Sequence, residues 1–331
     1  MKDGLKNESA AQVMRPVPVG VAAEILARGG VVAFPTETVY GLGAIAADDA
    51  AVRRVFAIKG RPASHPLIVH VADADAVARF AAAVPEAARR LADRFWPGPL
   101  TLVLRRRADV SMLITGGQDT VAVRVPSHPV ALSLIKACGD GLVGPSANRF
   151  GCVSPTTPDH VFHEFGDGVP VVDGGPCRVG IESTIIDLSG ARARLLRPGI
   201  IDARAIEEIL GEELAGPAGG APRVPGSLAS HYAPHTPVRL WPAAELALEA
   251  QRRMARGEKV AILATGRVVV PPGCLCYLLP RERDTVAQQL YGALRLLDEG
   301  HCDVILAEAL PDAGEWAGIH DRLRRACAEA R

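Results

Sequence analysis

The sequence predicts a two-domain protein of mixed α/β class, and three observations carry that reading. A chain of 331 residues exceeds one average domain. Short apolar runs of strand length alternate with helix-periodic stretches along most of it. Between Gly211 and Pro237 the composition changes, and Gly216-Pro217, Gly219-Gly220, Pro222, Pro225-Gly226, Pro234 and Pro237 leave no room for a long regular element. The chain therefore divides into an N-terminal extension (1–16), a first domain (17–210), a linker (211–237) and a small second domain (238–331).

The elements follow in order. Ala22 to Arg28 reads as the end of a helix, stopped by Gly29-Gly30. Val31 to Phe34 reads as a buried strand closed by Pro35, and Asp48 or Asp49 caps a helix that runs to Lys59 and ends at Gly60. Further strands are expected at Leu67–Val71, Leu100–Leu104, Val121–Val125, Leu142–Val143, Val169–Val172 and Ser183–Leu188, with helices around 85–95, 129–137, 158–165 and 202–210. The linker is far longer than an ordinary connection, and such segments are often functional. Beyond it, Lys259–Ala264 is a strand ending in Thr265-Gly266. Asp284 caps a helix whose Val286, Leu290, Leu294 and Leu297 share one face. Asp303–Ala307 and Ile319–Ala328 add a strand and a closing helix, an alternation that fits a small parallel α/β domain.

Composition excludes several function classes. Apolar residues make up 48% and charged residues 22%, so a sizeable core is available. The 37 basic and 37 acidic residues cancel, which argues against stable nucleic-acid binding. Seven scattered cysteines include no C-x-x-C pair, so no zinc site or disulfide framework is expected and reduced thiols fit best. Residues 1–16 carry Lys2, Lys6 and Arg15 without the apolar core of a signal peptide, and no run of about 18 apolar residues occurs. A soluble, cytoplasmic protein is the expectation.

Several segments can carry chemistry, although each alone also reads as a turn or a helix end. Pro35-Thr36-Glu37-Thr38-Val39-Tyr40-Gly41-Leu42-Gly43 places two hydroxyls, a carboxylate and a phenol directly after a buried strand. Lys59-Gly60-Arg61-Pro62, followed by His65-Pro66-Leu67 and His70, offers a point charge and a planar fork suited to a polyphosphate. In Asp119–Pro126 the period-two pattern sets Thr120, Ala122 and Arg124 on one face. An arginine in mid-strand needs a carboxylate, either internal or belonging to an amino-acid substrate. Gly144-Pro145-Ser146-Ala147-Asn148, Ser154-Pro155-Thr156-Thr157, Gly180-Ile181-Glu182-Ser183-Thr184, Arg197-Pro198-Gly199 and His231-Tyr232-Ala233-Pro234 complete the set. No Walker A loop, dinucleotide fingerprint, zinc-protease helix or nucleophile elbow is present. Any phosphate is therefore held in a different cradle.

Taken together, these segments resemble the YrdC-like threonylcarbamoyl-AMP synthases of the long, two-domain type, over residues 17–210 and 211–331. The resemblance rests on Pro35–Gly43, Lys59-Gly60-Arg61 with Pro66-Leu67, Pro145-Ser146-Ala147-Asn148 and Glu182-Ser183-Thr184, in the family's order, with His231-Tyr232-Ala233-Pro234 as the mark of the long form. It implies a twisted mixed sheet with a concave, positive cavity. It also implies L-threonine contacts at Thr36, His70, Arg124 and Ser183, and ATP contacts at Lys59, Arg61, His65, Thr120, Ser146, Ser154, Arg197 and Tyr232. Lys59 and Arg61 are the expected catalytic cations. No protein metal site is expected, and Mg2+ accompanies ATP. The substrates implied are ATP, L-threonine and bicarbonate, with the product passed to a tRNA threonylcarbamoyl transferase complex. Two positions depart from the family pattern: His65 stands where asparagine is usual, and Ser227-Leu228 replaces a Met-Lys pair. Competing readings are an RNA-binding module on the same fold and adenylation of carbamoyl from carbamoyl phosphate. The His301, Cys302, His320 and Asp321 of the second domain read as structural or surface residues.

Overall fold

The computed structural model describes residues 16–216, 220–226, 231–311 and 314–328; Lys2, Lys6, Arg15 and the Ser227-Leu228 pair lie outside them. The first domain runs α1 (Val19–Ala27), β1 (Val32–Phe34), β2 (Gly41–Ile45), α2 (Asp49–Lys59), β3 (Ile68–His70), α3 (Glu86–Phe95), β4 (Leu100–Arg105), β5 (Thr120–Arg124), α4 (Pro129–Cys138), β6 (Leu142–Val143), α5 (Pro158–Phe165), β7 (Thr184–Asp187), β8 (Arg194–Arg197) and α6 (Ala203–Leu210). Its eight strands form one sheet in the order β1-β2-β6-β3-β5-β4-β7-β8. Only β3–β5 and β4–β7 are parallel pairs, so the sheet is mixed as expected.

Local chemistry fixes the elements that matter for the site. The Asp48 carboxylate accepts from the Ala50 and Ala51 amides at 2.9 and 3.0 Å and starts α2. Gly60, at φ 63°, ends it in the left-handed region, so Lys59 and Arg61 leave the helix on either side of a sharp turn. Strand β2 was not legible because glycine is depleted in strands. It requires glycine here, since a Cβ on Gly43 would stand 2.9 Å from the Phe34 ring of β1. The expected strand at Val169–Val172 reduces to one parallel bridge, Val171 to Ala33, with hydrogen bonds alongside.

The second domain comprises β9 (Val238–Trp241), α7 (Leu246–Met254), β10 (Val260–Thr265), β11 (Leu275–Leu279), α8 (Arg283–Glu299), β12 (Val304–Glu308) and α9 (Ala317–Cys327). Its four strands are all parallel, in the order β11-β10-β12-β9. Glu282, not Asp284, occupies the N-cap position of α8, and Asp284 lies in its first turn. The Thr265 amide and hydroxyl bind the Glu308 carboxylate at 2.6 and 2.8 Å, so that turn is closed internally.

The second domain does not fold around itself alone. One apolar cluster joins Val286, Leu290, Leu294, Ile319 and Leu323 to Val39, Val153 and Ile181 of the first domain and to Tyr232 of the linker. At about 25 cal/mol per Å² of apolar area removed from water, a shared cluster of this size ties the domains together. No helix among the described residues is long and apolar enough to cross a membrane.

Candidate active site

A cavity opens beside the large sheet, bounded by the β1–β2 turn, the ends of β3 and β5, the loop after β6, the entry to β7 and the end of β8. Two chemically different walls line it.

The first wall combines hydroxyls, an imidazole and a buried ion pair. The Thr36 hydroxyl donates to the Val39 carbonyl at 2.7 Å and accepts from the Thr38 and Val39 amides, which locks the β1–β2 turn. Arg124, the last residue of β5, donates to the Thr38 hydroxyl at 2.9 Å and to the Gly98 carbonyl at 3.2 Å. Its Nη2 also stands 2.7 Å from Glu37 Oε1, with both side chains buried. The carboxylate that the strand arginine demanded is therefore internal. Yet neither Nη2 nor Oε1 completes a hydrogen bond among the described residues, so both keep capacity for a ligand. His70 ends β3 with Nδ1 buried and without a hydrogen-bond partner among the described residues. Burial, then the Arg124 charge, pulls this imidazole down to about 3, so it is neutral. A Cβ on Gly144 would stand 2.8 Å from His70 Nδ1, so glycine is needed for the ring to face inward.

The second wall is cationic. Arg197, at the end of β8, donates through Nε and Nη2 to the Ser183 carbonyl at 3.1 and 2.9 Å and to the Ser183 hydroxyl at 3.1 Å. Arg61 donates to the Pro66 carbonyl at 2.8 Å, its Nε has no hydrogen-bond partner among the described residues, and its guanidinium lies 5.5 Å from the Phe150 ring centre. Burial pulls Arg61 down to about 10. Lys59 lies behind this wall. Its Nζ donates to the Asn148 carbonyl at 2.6 Å and also to the Ser146 carbonyl, pinning the loop after β6. Burial, then the Arg61 charge, lowers Lys59 to about 7.

The linker forms the roof. Pro225, Gly226, His231 and Tyr232 all line the cavity, and Arg197 Nη1 donates to the Pro225 carbonyl at 3.0 Å. The space lined by these described residues is about 40 Å³, well below the about 300–1,000 Å³ typical of ligand pockets.

Of the residues singled out from the sequence, Thr36, His70, Arg124, Ser183, Arg61, Ser146, Arg197 and Tyr232 meet in this one cavity. Ser154 is buried one layer back, donating to Glu182 Oε1 at 2.6 Å. His65 packs edge-on against Phe150 with ring centres 5.2 Å apart. Thr120 opens β5 at the end opposite Arg124, outside the cavity. Sequence reasoning missed Thr38, Glu37 and Glu182 as individual groups, although it had marked their segments. It also missed His231, whose two buried ring nitrogens lack partners among the described residues.

Comparison with known proteins agrees with this geometry. The model of the Sua5/YciO/YrdC family, described as "Telomere recombination", matches residues 24–199, and that of the "Threonylcarbamoyl-AMP synthase, C-terminal domain" matches residues 201–328. The Threonylcarbamoyl-AMP synthase of Pyrococcus abyssi is 40% identical, over 93% of this chain and 93% of its own length. That of Bacillus subtilis is 39% identical, over 93% of this chain and 92% of its own. The crystal structure of P. abyssi Sua5 complexed with L-threonine superposes with a TM-score of 0.87 at 40% identity, covering 93% of this chain and 94% of that one. With both domains matched in order and relatives aligned almost end to end, this chain belongs to the Sua5/YciO/YrdC family in its two-domain form, that of the threonylcarbamoyl-AMP synthases.

Proposed function

We infer that this chain is a threonylcarbamoyl-AMP synthase, a nucleotidyltransferase that converts L-threonine, bicarbonate or CO2 and ATP to L-threonylcarbamoyladenylate and pyrophosphate. The observation that carries this reading is the meeting, within one cavity, of Arg124, His70, Thr36 and Ser183 with Arg61 and Arg197. The first set suits a carboxylate and a hydroxyl, and the second suits phosphates.

In this mechanism the threonine amine attacks CO2 and loses a proton, giving an N-carboxylate. One oxygen of that carboxylate attacks the α-phosphorus of ATP in line. The new P–O bond forms as the bond to the bridging oxygen breaks, and pyrophosphate leaves. No covalent protein intermediate is required, so catalysis is positioning and charge neutralisation. Arg124 holds the threonine carboxylate, and Thr36, neutral His70 or Ser183 reads its hydroxyl. Arg61, Arg197 and Lys59 offset the triphosphate charge. The roof, with Tyr232 at its centre, keeps water from the labile mixed anhydride.

Mg2+ is not caged by the chain in this reading. No metal-binding group of three or more His, Cys, Asp or Glu occurs among the described residues. The nearby carboxylates, Glu37 and Glu182, are both engaged by arginine. Mg2+ accompanies the nucleotide, as it commonly does on phosphate oxygens. The product goes to a tRNA threonylcarbamoyl transferase complex in the cytoplasm, as the activated intermediate of threonylcarbamoyladenosine formation. The test is incubation with ATP, Mg2+, labelled bicarbonate and each amino acid in turn. Label transfer and pyrophosphate release that require threonine but no RNA support the reading. Release that is indifferent to threonine refutes it, and strict dependence on RNA or carbamoyl phosphate favours the competing activities.

A further inference from the structure

Strand β4 carries a hydroxyl where its neighbours are apolar. Leu100, Leu102 and Leu104 pack into the main core, while Val103 packs with Ile68, Ala122 and Ile185 on the other face of the sheet. Thr101 alternates with the leucines, so it lies on that second face, and it is fully buried. Valine would fill the same space in a strand without a polar atom, and a buried hydroxyl that makes no hydrogen bond is costly. The Thr101 hydroxyl has one hydrogen-bond partner among the described residues, the Ser183 hydroxyl at 2.7 Å. Ser183 stands two residues before Ile185, the β7 residue paired with Thr101, which brings the two hydroxyls to one side of the β4–β7 ladder. Ser183 lines the cavity, and Thr101 lies behind it.

Donor and acceptor capacity sets the direction of that bond. A hydroxyl has one hydrogen to give and two lone pairs to fill. Arg197 Nη2 can only donate, and it donates to Ser183 Oγ at 3.1 Å, which takes one lone pair. Were Ser183 to give its hydrogen to Thr101, the Thr101 hydrogen would be buried with no acceptor among the described residues. With Thr101 as the donor instead, Thr101 is satisfied and both lone pairs of Ser183 are filled. The Ser183 hydrogen is then left for the cavity that this residue lines. Leaving a buried donor unmade carries the larger penalty, so the second arrangement wins.

We propose that Thr101 is a positioning residue: its hydroxyl fills the second lone pair of Ser183 and leaves Ser183 a hydroxyl that can only donate to a ligand. Such a group accommodates an acceptor oxygen and disfavours an ammonium or any other donor at that point. Its hydrogen is aimed before the ligand arrives, so no reorientation is needed on binding. Thr101 itself touches no ligand and acts through Ser183. In the proposed reaction, on which the kinetic readout of this inference rests, the acceptor is an oxygen of L-threonine.

Variants of the full chain test it. Thr101→Val keeps the shape and removes the hydroxyl, and Thr101→Ser restores the hydroxyl. Thermal denaturation establishes that each is folded. Thr101→Val should lower kcat/KM for threonine by about tenfold, whereas Thr101→Ser should stay within about threefold of wild type. In a Ser183→Ala background, Thr101→Val should cause no further loss, because no hydroxyl remains for it to position. In the free wild-type protein the Thr101 hydroxyl proton should exchange more slowly than that of Ser183, read as isotope splitting of the labelled Cβ resonances in mixed light and heavy water. Three results overturn the proposal: a wild-type kcat/KM in folded Thr101→Val, an undiminished loss in the Ser183→Ala background, or a Thr101 proton that exchanges no more slowly than that of Ser183. If Thr101→Val does not fold, the exchange measurement on the wild-type chain decides alone. A wild-type chain without threonine-dependent pyrophosphate release refutes the proposed function, whereas the exchange measurement still decides the hydroxyl pair.

Discussion

Replacing Arg124 with alanine removes two things at once, and the structure shows how to separate them. Glu37 and Arg124 form a buried ion pair at 2.7 Å, so Arg124→Ala leaves a carboxylate with no opposing charge. Stranding one partner of such a pair costs about 3–5 kcal/mol. For a domain near 200 residues that corresponds to a fall in Tm of roughly 6–20 °C. Adding Glu37→Gln neutralises the stranded group and still lets the amide oxygen accept from the Ser127 N–H, now 3.0 Å from Glu37 Oε2. The double variant therefore recovers most of the lost Tm. Threonine recognition should not be recovered, because the guanidinium proposed to hold its carboxylate is still missing. Losing hydrogen bonds to a charged group costs about 1.5–3 kcal/mol, which raises the threonine KM roughly 10- to 150-fold. The ATP KM should stay within about threefold of wild type, since the contacts proposed for ATP are other residues, Arg61 and Arg197 among them. Circular dichroism melts and initial rates of pyrophosphate release, with each substrate varied in turn, give the four quantities needed. A double variant with wild-type threonine KM would refute the clamp and leave Arg124 a partner of Glu37 alone.

The free-protein value of about 7 for Lys59 predicts proton uptake on binding ATP, because a triphosphate favours the charged ammonium. ATP affinity then falls as pH rises above about 7, by at most about tenfold per unit; calorimetry at pH 8 that gives equal heats in buffers of different ionisation enthalpy would contradict this, and Lys59→Met should abolish the uptake. The same depression means that the unfolded chain binds the extra proton between about 7 and 10.5, so the contribution of Lys59 to stability rises with pH across that window. Gly226→Ala should displace the roof, since its Cβ would stand 2.0 Å from the Tyr232 hydroxyl oxygen at a backbone φ of 75°; faster product release measures the effect, and wild-type retention would show that the ring is not needed for closure. Threonine should be preferred to valine by roughly 10⁴-fold in kcat/KM if a buried group reads the hydroxyl, whereas a ratio of only about 10–200 would mean that shape alone is sensed.

The parts of this molecule that sequence alone disclosed are those governed by local chemistry. Asp48 and Gly60 announced the ends of α2, and the alternation around Val121, Val123 and Arg124 announced β5. The Arg124 side chain was expected to need a carboxylate, and Glu37 supplies it. What stayed hidden depends on distant neighbours. The glycines of β2 read as a loop until Phe34 is placed against them. Arg322 sits among Ile319, Leu323 and Ala326 on a buried helix face, and nothing within α9 indicates that its partner is Glu182, 140 residues earlier. Thr120 shows the converse limit. It shares a strand face with Arg124, but successive residues on one face of a strand are about 6.6 Å apart, which carries Thr120 out of the cavity.

The linker is pinned like a bridge at both abutments. On the near bank the Gln118 side-chain amide pairs with both the N–H and the C=O of Arg223, and the Arg223 guanidinium donates to the Gly116 carbonyl. On the far bank the Asp298 carboxylate anchors the amides of His235 and Thr236. With both abutments fixed on elements that share an apolar core, an opening at Tyr232 would cost only the free energy of a local event and not that of parting two domains.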